Sequence, residues 1–187
     1  MASSWWCGVR DPRPLALAAL ALLIGCSPAP TKDEQRARAI EQSFVGRFTG
    51  TFERREGAET ITLPARMTGK RLSEGGVELV IEHGVPPPVG GGGERITTRL
   101  RVLAASRELE YTSGDGARSE RFRIERFAAF TGLGELIVTG STQEAGRPVE
   151  LRILYSVEPG KLTWSRDSRP PGGEFKFRQR YTMRRGR

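Results

Sequence analysis

The chain is poor in the side chains that carry covalent and metal chemistry. Its 187 residues include one histidine and two cysteines. The lone histidine, His83, excludes a histidine-cluster metal site and a relay through a second imidazole. It stands just before Gly84 at the end of an alternating segment and reads as a surface or turn residue. The cysteines are Cys7 and Cys26, so everything after them lacks a disulfide and a thiolate metal site. No Gly-x-Ser-x-Gly elbow occurs. Ser165-Arg166-Asp167-Ser168 sets hydroxyls near a carboxylate but offers no base to activate a serine. The carboxylate pairs Glu108/Glu110 and Glu78/Glu82 have the spacing of outward strand faces, which a solvated surface explains. Gly84 to Glu94 is a long Gly/Pro-rich loop without the Gly-Lys-Ser/Thr ending of a phosphate-binding loop. No helix-turn-helix, zinc finger or aromatic-plus-basic single-strand motif is evident. These absences predict a protein that is not an enzyme, takes no metal or cofactor and binds no nucleic acid. Long hydrophobic runs are missing too. Leu15 to Ile24 is apolar, but it is too short to span a bilayer as a mature helix.

That short run has another meaning. Arg10 and Arg13 precede it, and a small residue, Gly25, stands before Cys26. A charged region, an apolar region and a small residue before a cut make a secretory signal. Leu23-Ile24-Gly25-Cys26 resembles the lipobox of bacterial lipoproteins. The resemblance implies cleavage between Gly25 and Cys26 and lipidation of Cys26, which becomes the acylated N-terminus. It implies a lipid anchor in the bacterial cell envelope. With Ser27 in place of Asp, the anchor resembles those sorted to the outer membrane, facing the periplasm, in a Gram-negative host. Residues 1–25 are then leader. Residues 26–31 are a lipidated tether, in which Ser27-Pro28-Ala29-Pro30 would hold the domain off the membrane.

What remains is one ordinary domain, long enough to bury a core without staples. The full chain has 30 Lys+Arg against 22 Asp+Glu, a net +8. Losing Arg10, Arg13 and Asp11 with the leader leaves +7. That charge favours anionic partners, including phospholipid head groups, lipopolysaccharide, anionic glycans or nucleic acid, and the envelope compartment argues against the last. The 23 glycines and 12 prolines suit a turn-rich β domain.

Thr31-Lys32-Asp33-Glu34 has the spacing of a capping box, and Ala37, Ile40 and Phe44 recur at helical spacing. A short helix is therefore expected within 32–43, from Lys32 to about Gln42. From Phe44 onward the period is two. Phe44, Gly46, Phe48, Gly50 and Phe52 share one face; Ile61, Leu63, Ala65 and Met67 form the next, then Val77, Leu79 and Ile81. Pro64 cannot donate a ladder bond and marks an edge position or a bulge. Ile96, Thr98, Leu100 and Val102 follow, then Leu109 and Tyr111, then Phe122, Ile124 and Phe127, whose spacing slips near Glu125–Arg126 and predicts a bulge. Leu136 and Val138 come next, then Val149, Leu151, Ile153, Tyr155 and Val157, then Leu162 and Trp164. The final strand sets Phe175, Phe177, Gln179, Tyr181 and Met183 inward and Lys176, Arg178, Arg180, Thr182 and Arg184 outward. Some ten strands joined by short turns make an antiparallel meander, and they must close or stack to hide their edges. The expected fold is all-β, an up-and-down meander of about 8–10 strands over 44–187 with a short N-terminal helix. Closure into a barrel is the simplest solution, and a two-sheet sandwich is the competitor.

At this level the chain resembles the lipocalin and fatty-acid-binding-protein superfamily. The similarity lies in an N-terminal helix, a first strand with Gly46-Arg47-Phe48, a meander and an Arg-rich last strand. Lipocalins carry Gly-x-Trp on the first strand and a late Arg packed over that Trp. Here Phe48 takes the place of the Trp, and Arg180 or Arg184 the place of the Arg.

Two sets of residues then stand as candidates. Phe48, Thr98, Tyr111, Phe122, Tyr155, Trp164, Phe177, Gln179 and Tyr181 would line a hollow barrel and hold a hydrophobic or amphipathic small molecule, or fill a solid one. Lys176, Arg178, Arg180, Arg184 and Arg185 form a basic stripe suited to an anionic surface. A filled barrel using that stripe would be a non-catalytic scaffold that binds an envelope protein or anionic lipid.

Overall fold

The computed structural model describes residues 29–84 and 93–186. The expected leader, Cys26 and the first half of the tether lie outside these residues, as do most of the 84–94 loop and Arg187.

Helix α1 (Lys32–Ser43) starts on the capping box that the sequence spells. The Glu34 backbone N–H donates to Thr31 Oγ1 at 3.2 Å, and the Thr31 N–H donates to Glu34 Oε2 at 2.7 Å. Its buried face is Ala37, Ile40 and Glu41. Ten strands follow: β1 (Gly46–Glu56), β2 (Glu59–Arg71), β3 (Val77–His83), β4 (Glu94–Leu103), β5 (Glu108–Ser113), β6 (Ser119–Glu125), β7 (Gly134–Glu144), β8 (Arg147–Glu158), β9 (Lys161–Arg169) and β10 (Lys176–Arg185). Each pairs antiparallel with the next, and β10 pairs with β1, so the meander closes into a barrel rather than a sandwich.

Closure depends on Gly50. A Cβ built there would lie 1.9 Å from the Thr182 carbonyl oxygen across the β1–β10 seam. Only a residue without a side chain lets the two strands approach. Pro64 is at a local edge, as expected, and not in a bulge. It pairs with Thr51 of β1, while the β2–β3 ladder begins one residue later at Ala65–His83. Its missing N–H therefore falls where β3 has already ended. The slip near Glu125 is also not a bulge. β6 stops there, Arg126 takes a left-handed conformation (φ 51°), and Phe127–Ala129 form one 3-10 turn that returns Phe127 to the core.

The two ends of the barrel differ. At the helix end, Ile40, Phe44, Met67, Leu100, Leu109, Leu136, Leu162 and Met183 are almost fully buried and fill the interior. Glu41 pins the helix there. β3 pairing ends at Val77–Leu100, and the next inward amide of β4, Val102, donates to Glu41 Oε1 at 3.1 Å instead of to a strand. Toward the other end a ladder of rings crosses the wall. Trp164 stacks on Tyr181 (4.3 Å), Tyr181 on Phe52 (4.5 Å) and Phe52 on His83 (4.1 Å). His83 is thus no surface residue, and is only 5% exposed. The alternation of Val77, Leu79 and Ile81 simply runs on to it. Burial pushes its pKa below the usual imidazole value; nearby Glu94 opposes this and Arg54 adds to it.

Two outcomes follow. Glu41→Ala leaves the Val102 N–H buried without a partner and is expected to cost about 1–3 kcal/mol in urea unfolding. His83 is neutral when folded, so its contribution to stability is full above pH 6.5, the ordinary imidazole value, and is lost as pH falls through 6.5 toward the depressed folded value. The urea midpoint of the native chain should drop on acidification through this window by more than that of His83→Phe. Parallel curves for the two chains would show that His83 does not titrate on unfolding.

Candidate functional site

The inner-face alternation does not stop where the apolar residues stop. On β9 it runs Leu162, Trp164, Arg166, Ser168; on β7, Leu136, Val138, Gly140, Thr142, Glu144; on β6, Ile124, Phe122, Glu120; on β10, Met183, Tyr181, Gln179. Each strand therefore carries its apolar residues into the depth and its polar residues to the mouth opposite α1. Between them lies a cavity of 410 Å³. Ile81, Phe122, Leu151, Ile153, Tyr155, Trp164 and Tyr181 form its wall, and Thr98, Ser113, Arg118, Glu120, Arg166 and Gln179 surround its opening. That volume falls within the range of small-molecule sites, roughly 300–1,000 Å³. A larger space of 670 Å³ lies against β1–β4, bounded by Arg66, Glu82, His83 and Arg95 and by Gly84 and Gly93, the ends of the loop outside the described residues. It lacks the aromatic wall, and its Arg95 already pairs with Glu82 at 3.4 Å.

The mouth is held by hydrogen bonds centred on two carboxylates. Arg166 Nη2 donates to Glu144 Oε1 at 3.1 Å, and Ser168 Oγ donates to Glu144 Oε2 at 2.9 Å. Arg178 Nε donates to Ser168 Oγ at 2.7 Å, with its Nη2 3.4 Å from Glu144 Oε2. Beside it, at β6 and β7, Arg118 donates to Glu120 and to Thr142, and Thr142 donates to Glu120. Two polar atoms at the cavity have no hydrogen-bond partner among the described residues: Arg166 Nε and the Tyr155 hydroxyl. Burial raises the pKa of the Tyr111 and Tyr181 phenols, against the nearby Arg166 charge for Tyr111 and with the Glu94 charge for Tyr181. Both phenols stay protonated at ordinary pH.

Of the residues that the sequence nominates for a cavity wall, Thr98, Tyr111, Phe122, Tyr155, Trp164, Gln179 and Tyr181 surround this one. Phe48 and Phe177 do not. Phe48 belongs to the filled helix end, 2% exposed, with the Arg185 guanidinium 5.0 Å from its ring centre. The late guanidinium over the first-strand aromatic is thus Arg185, not Arg180 or Arg184. Phe177 is turned out by a register shift in β10: Gln179 pairs with Arg166, but Phe177 pairs with the outward Asp167. Arg180 lies over its ring at 5.3 Å, and Phe175 sits outside as well, between Arg152 and Arg169. The same shift divides the basic stripe. Arg178 reaches the mouth network, Arg180 lies 3.7 Å from Glu53, and Lys176 and Arg184 are exposed. Sequence reading missed Arg166, Glu144, Glu120 and Ser168, because it defined the inner face by apolar residues and stopped counting at the first polar one.

No protein-family model and no curated protein matches the chain. Among solved structures the fold is similar to that of Rv2717c from M. tuberculosis, with a TM-score of 0.57 and 15% sequence identity over 81% of this chain and 98% of that one. At that identity the likeness is one of fold.

Proposed function

We propose that this chain is a membrane-anchored envelope lipoprotein whose barrel binds a hydrophobic or amphipathic small molecule, acting as a binder rather than a catalyst. The observation that carries the binding role is the 410 Å³ cavity, aromatic in depth and polar at its mouth. Ligand sites are concave and mostly apolar, with a few placed polar groups that fix orientation, and this cavity has that composition. The filled helix end supplies a core that does not depend on an occupant. The anchor rests on Leu23-Ile24-Gly25-Cys26 and the apolar run before it. Two acyl signals make such an anchor stable.

Native mass spectrometry of the full-length chain, purified from its host, should find a discrete added mass that leaves on unfolding. Ile153→Trp, which fills the cavity from its wall, should abolish it. A chain that carries no mass and takes up no apolar probe would sink the binding role. Cys26→Ser should move the chain from the membrane fraction to the soluble one; if it stays with the membrane, Cys26 is not the anchor.

A further inference from the structure

We propose that the closed end of the barrel is a membrane-docking face. The uncharged segment around Leu133 enters the head-group layer of a bilayer, the arginines beside it meet anionic phospholipid, and the mouth points away. The direction of the mouth rests on the anchor at Cys26; the docking face does not.

The helix end gathers α1, the β6–β7 connection, the β8–β9 turn and the end of β10. Ala39, Gln42, Leu133, Pro159, Gly160 and Arg185 border one hollow of 310 Å³ there. From Phe127 to Gly134 the chain carries no charged residue. Phe127 and Phe130 turn into the core, while Ala128, Ala129 and Leu133 are exposed. Leu133 stands between Gly132 (φ 103°) and Gly134 (φ 100°). It is 54% exposed, against 36% for Ile96, the other exposed large hydrophobic among the described residues. The Ala129 and Phe130 amides donate to the Arg126 and Phe127 carbonyls at 2.8 and 3.3 Å, so these donors stay satisfied when water is displaced.

Positive charge surrounds this apolar tip. Arg38, Arg47, Arg126 and Arg184 are exposed at the same end. The carboxylates nearby are engaged: Asp33 with Arg36 and Arg107, Glu34 with the Thr31 N–H, Glu41 with the Val102 N–H and Glu158 with Lys161. The mouth differs. Its turns are polar, as at Glu56–Glu59 and Ser113–Arg118, and Arg118, Arg166 and Arg178 pair with Glu120 and Glu144. An apolar tip with a cationic rim suits an interface, where apolar burial and attraction to anionic lipid add. The chain also arrives at this end. Asp33, in the first turn of α1, pairs with Arg107 at the β4–β5 turn. Cys26 lies five residues before Thr31, a reach of at most roughly 18 Å. The mouth lies a tilted ten-residue strand further on, roughly 25 Å.

Hydrogen exchange of the full-length chain, purified from its host and placed on phosphatidylcholine vesicles with and without phosphatidylglycerol, tests this. Exchange across 126–135 should slow about tenfold when phosphatidylglycerol is added, as for a face docked roughly nine-tenths of the time. The mouth turns at 57–58 and 145–146 should not change. Leu133→Asp, and Arg38→Gln combined with Arg184→Gln, should each return the segment to its rate on phosphatidylcholine, with unaltered exchange in the strands showing that the variants are folded. If 126–135 exchanges alike on both vesicles, if the mouth turns are the ones protected, or if Leu133→Asp keeps the slowed exchange, the docking face is wrong. Co-sedimentation with phosphatidylcholine alone reports the anchor separately. A chain that stays off those vesicles but gains protection over 126–135 on phosphatidylglycerol keeps the docking face and loses the anchor; one that binds neither loses both.

Discussion

The seam between β1 and β10 is the constraint on which the rest of this molecule depends. Ten short antiparallel strands leave two open edges unless the first and last meet, and open edges invite pairing with other chains. Here they meet from Phe48–Arg185 to Arg54–Gln179, through Gly50 packed against the Thr182 carbonyl. Closure then forces every strand residue to point either to solvent or into one enclosed space. The stacked rings of Trp164, Tyr181 and Phe52 run across that same seam, so side-chain packing and backbone pairing reinforce each other at the place where the sheet must join.

Once closed, the interior divides by chemistry. Near α1 the inward positions are Leu, Met, Phe and Val, and they pack solid under a helix whose buried carboxylate, Glu41, accepts from the β4 backbone. Near the mouth the same strands place Arg, Glu, Ser, Thr and Gln inward. These cannot collapse together without losing water and paired charge, and large rings beneath them hold the walls apart. The mouth ion pairs are partly exposed, so solvent screens them and they add little to stability. Their role is to fix side-chain direction, while the filled half keeps the barrel standing.

Much of this was legible from residue order. Thr31 and Glu34 announced the helix, and period-two apolar patterning announced the strands and their inner faces. The strand order needed no more than each strand pairing with its neighbour in sequence. What escaped was whatever broke the period or the polarity rule. The shift before Gln179 reverses Phe175 and Phe177, and nothing local marks it except an excess of arginine. His83 looked like a turn residue because Gly84 follows it, yet its parity with Val77, Leu79 and Ile81 already assigned it inward. Arg166 and Glu144 were equally assigned by parity with Trp164 and Val138. Polarity concealed them, since charged residues in a half-buried strand ordinarily face solvent.

The helix across one end gives the barrel a bottom. A cylinder open at both ends could pass a molecule through itself; a cup cannot. A ligand of the kind proposed would therefore enter and leave by one mouth, past Arg118, Glu120 and Arg166 in both directions.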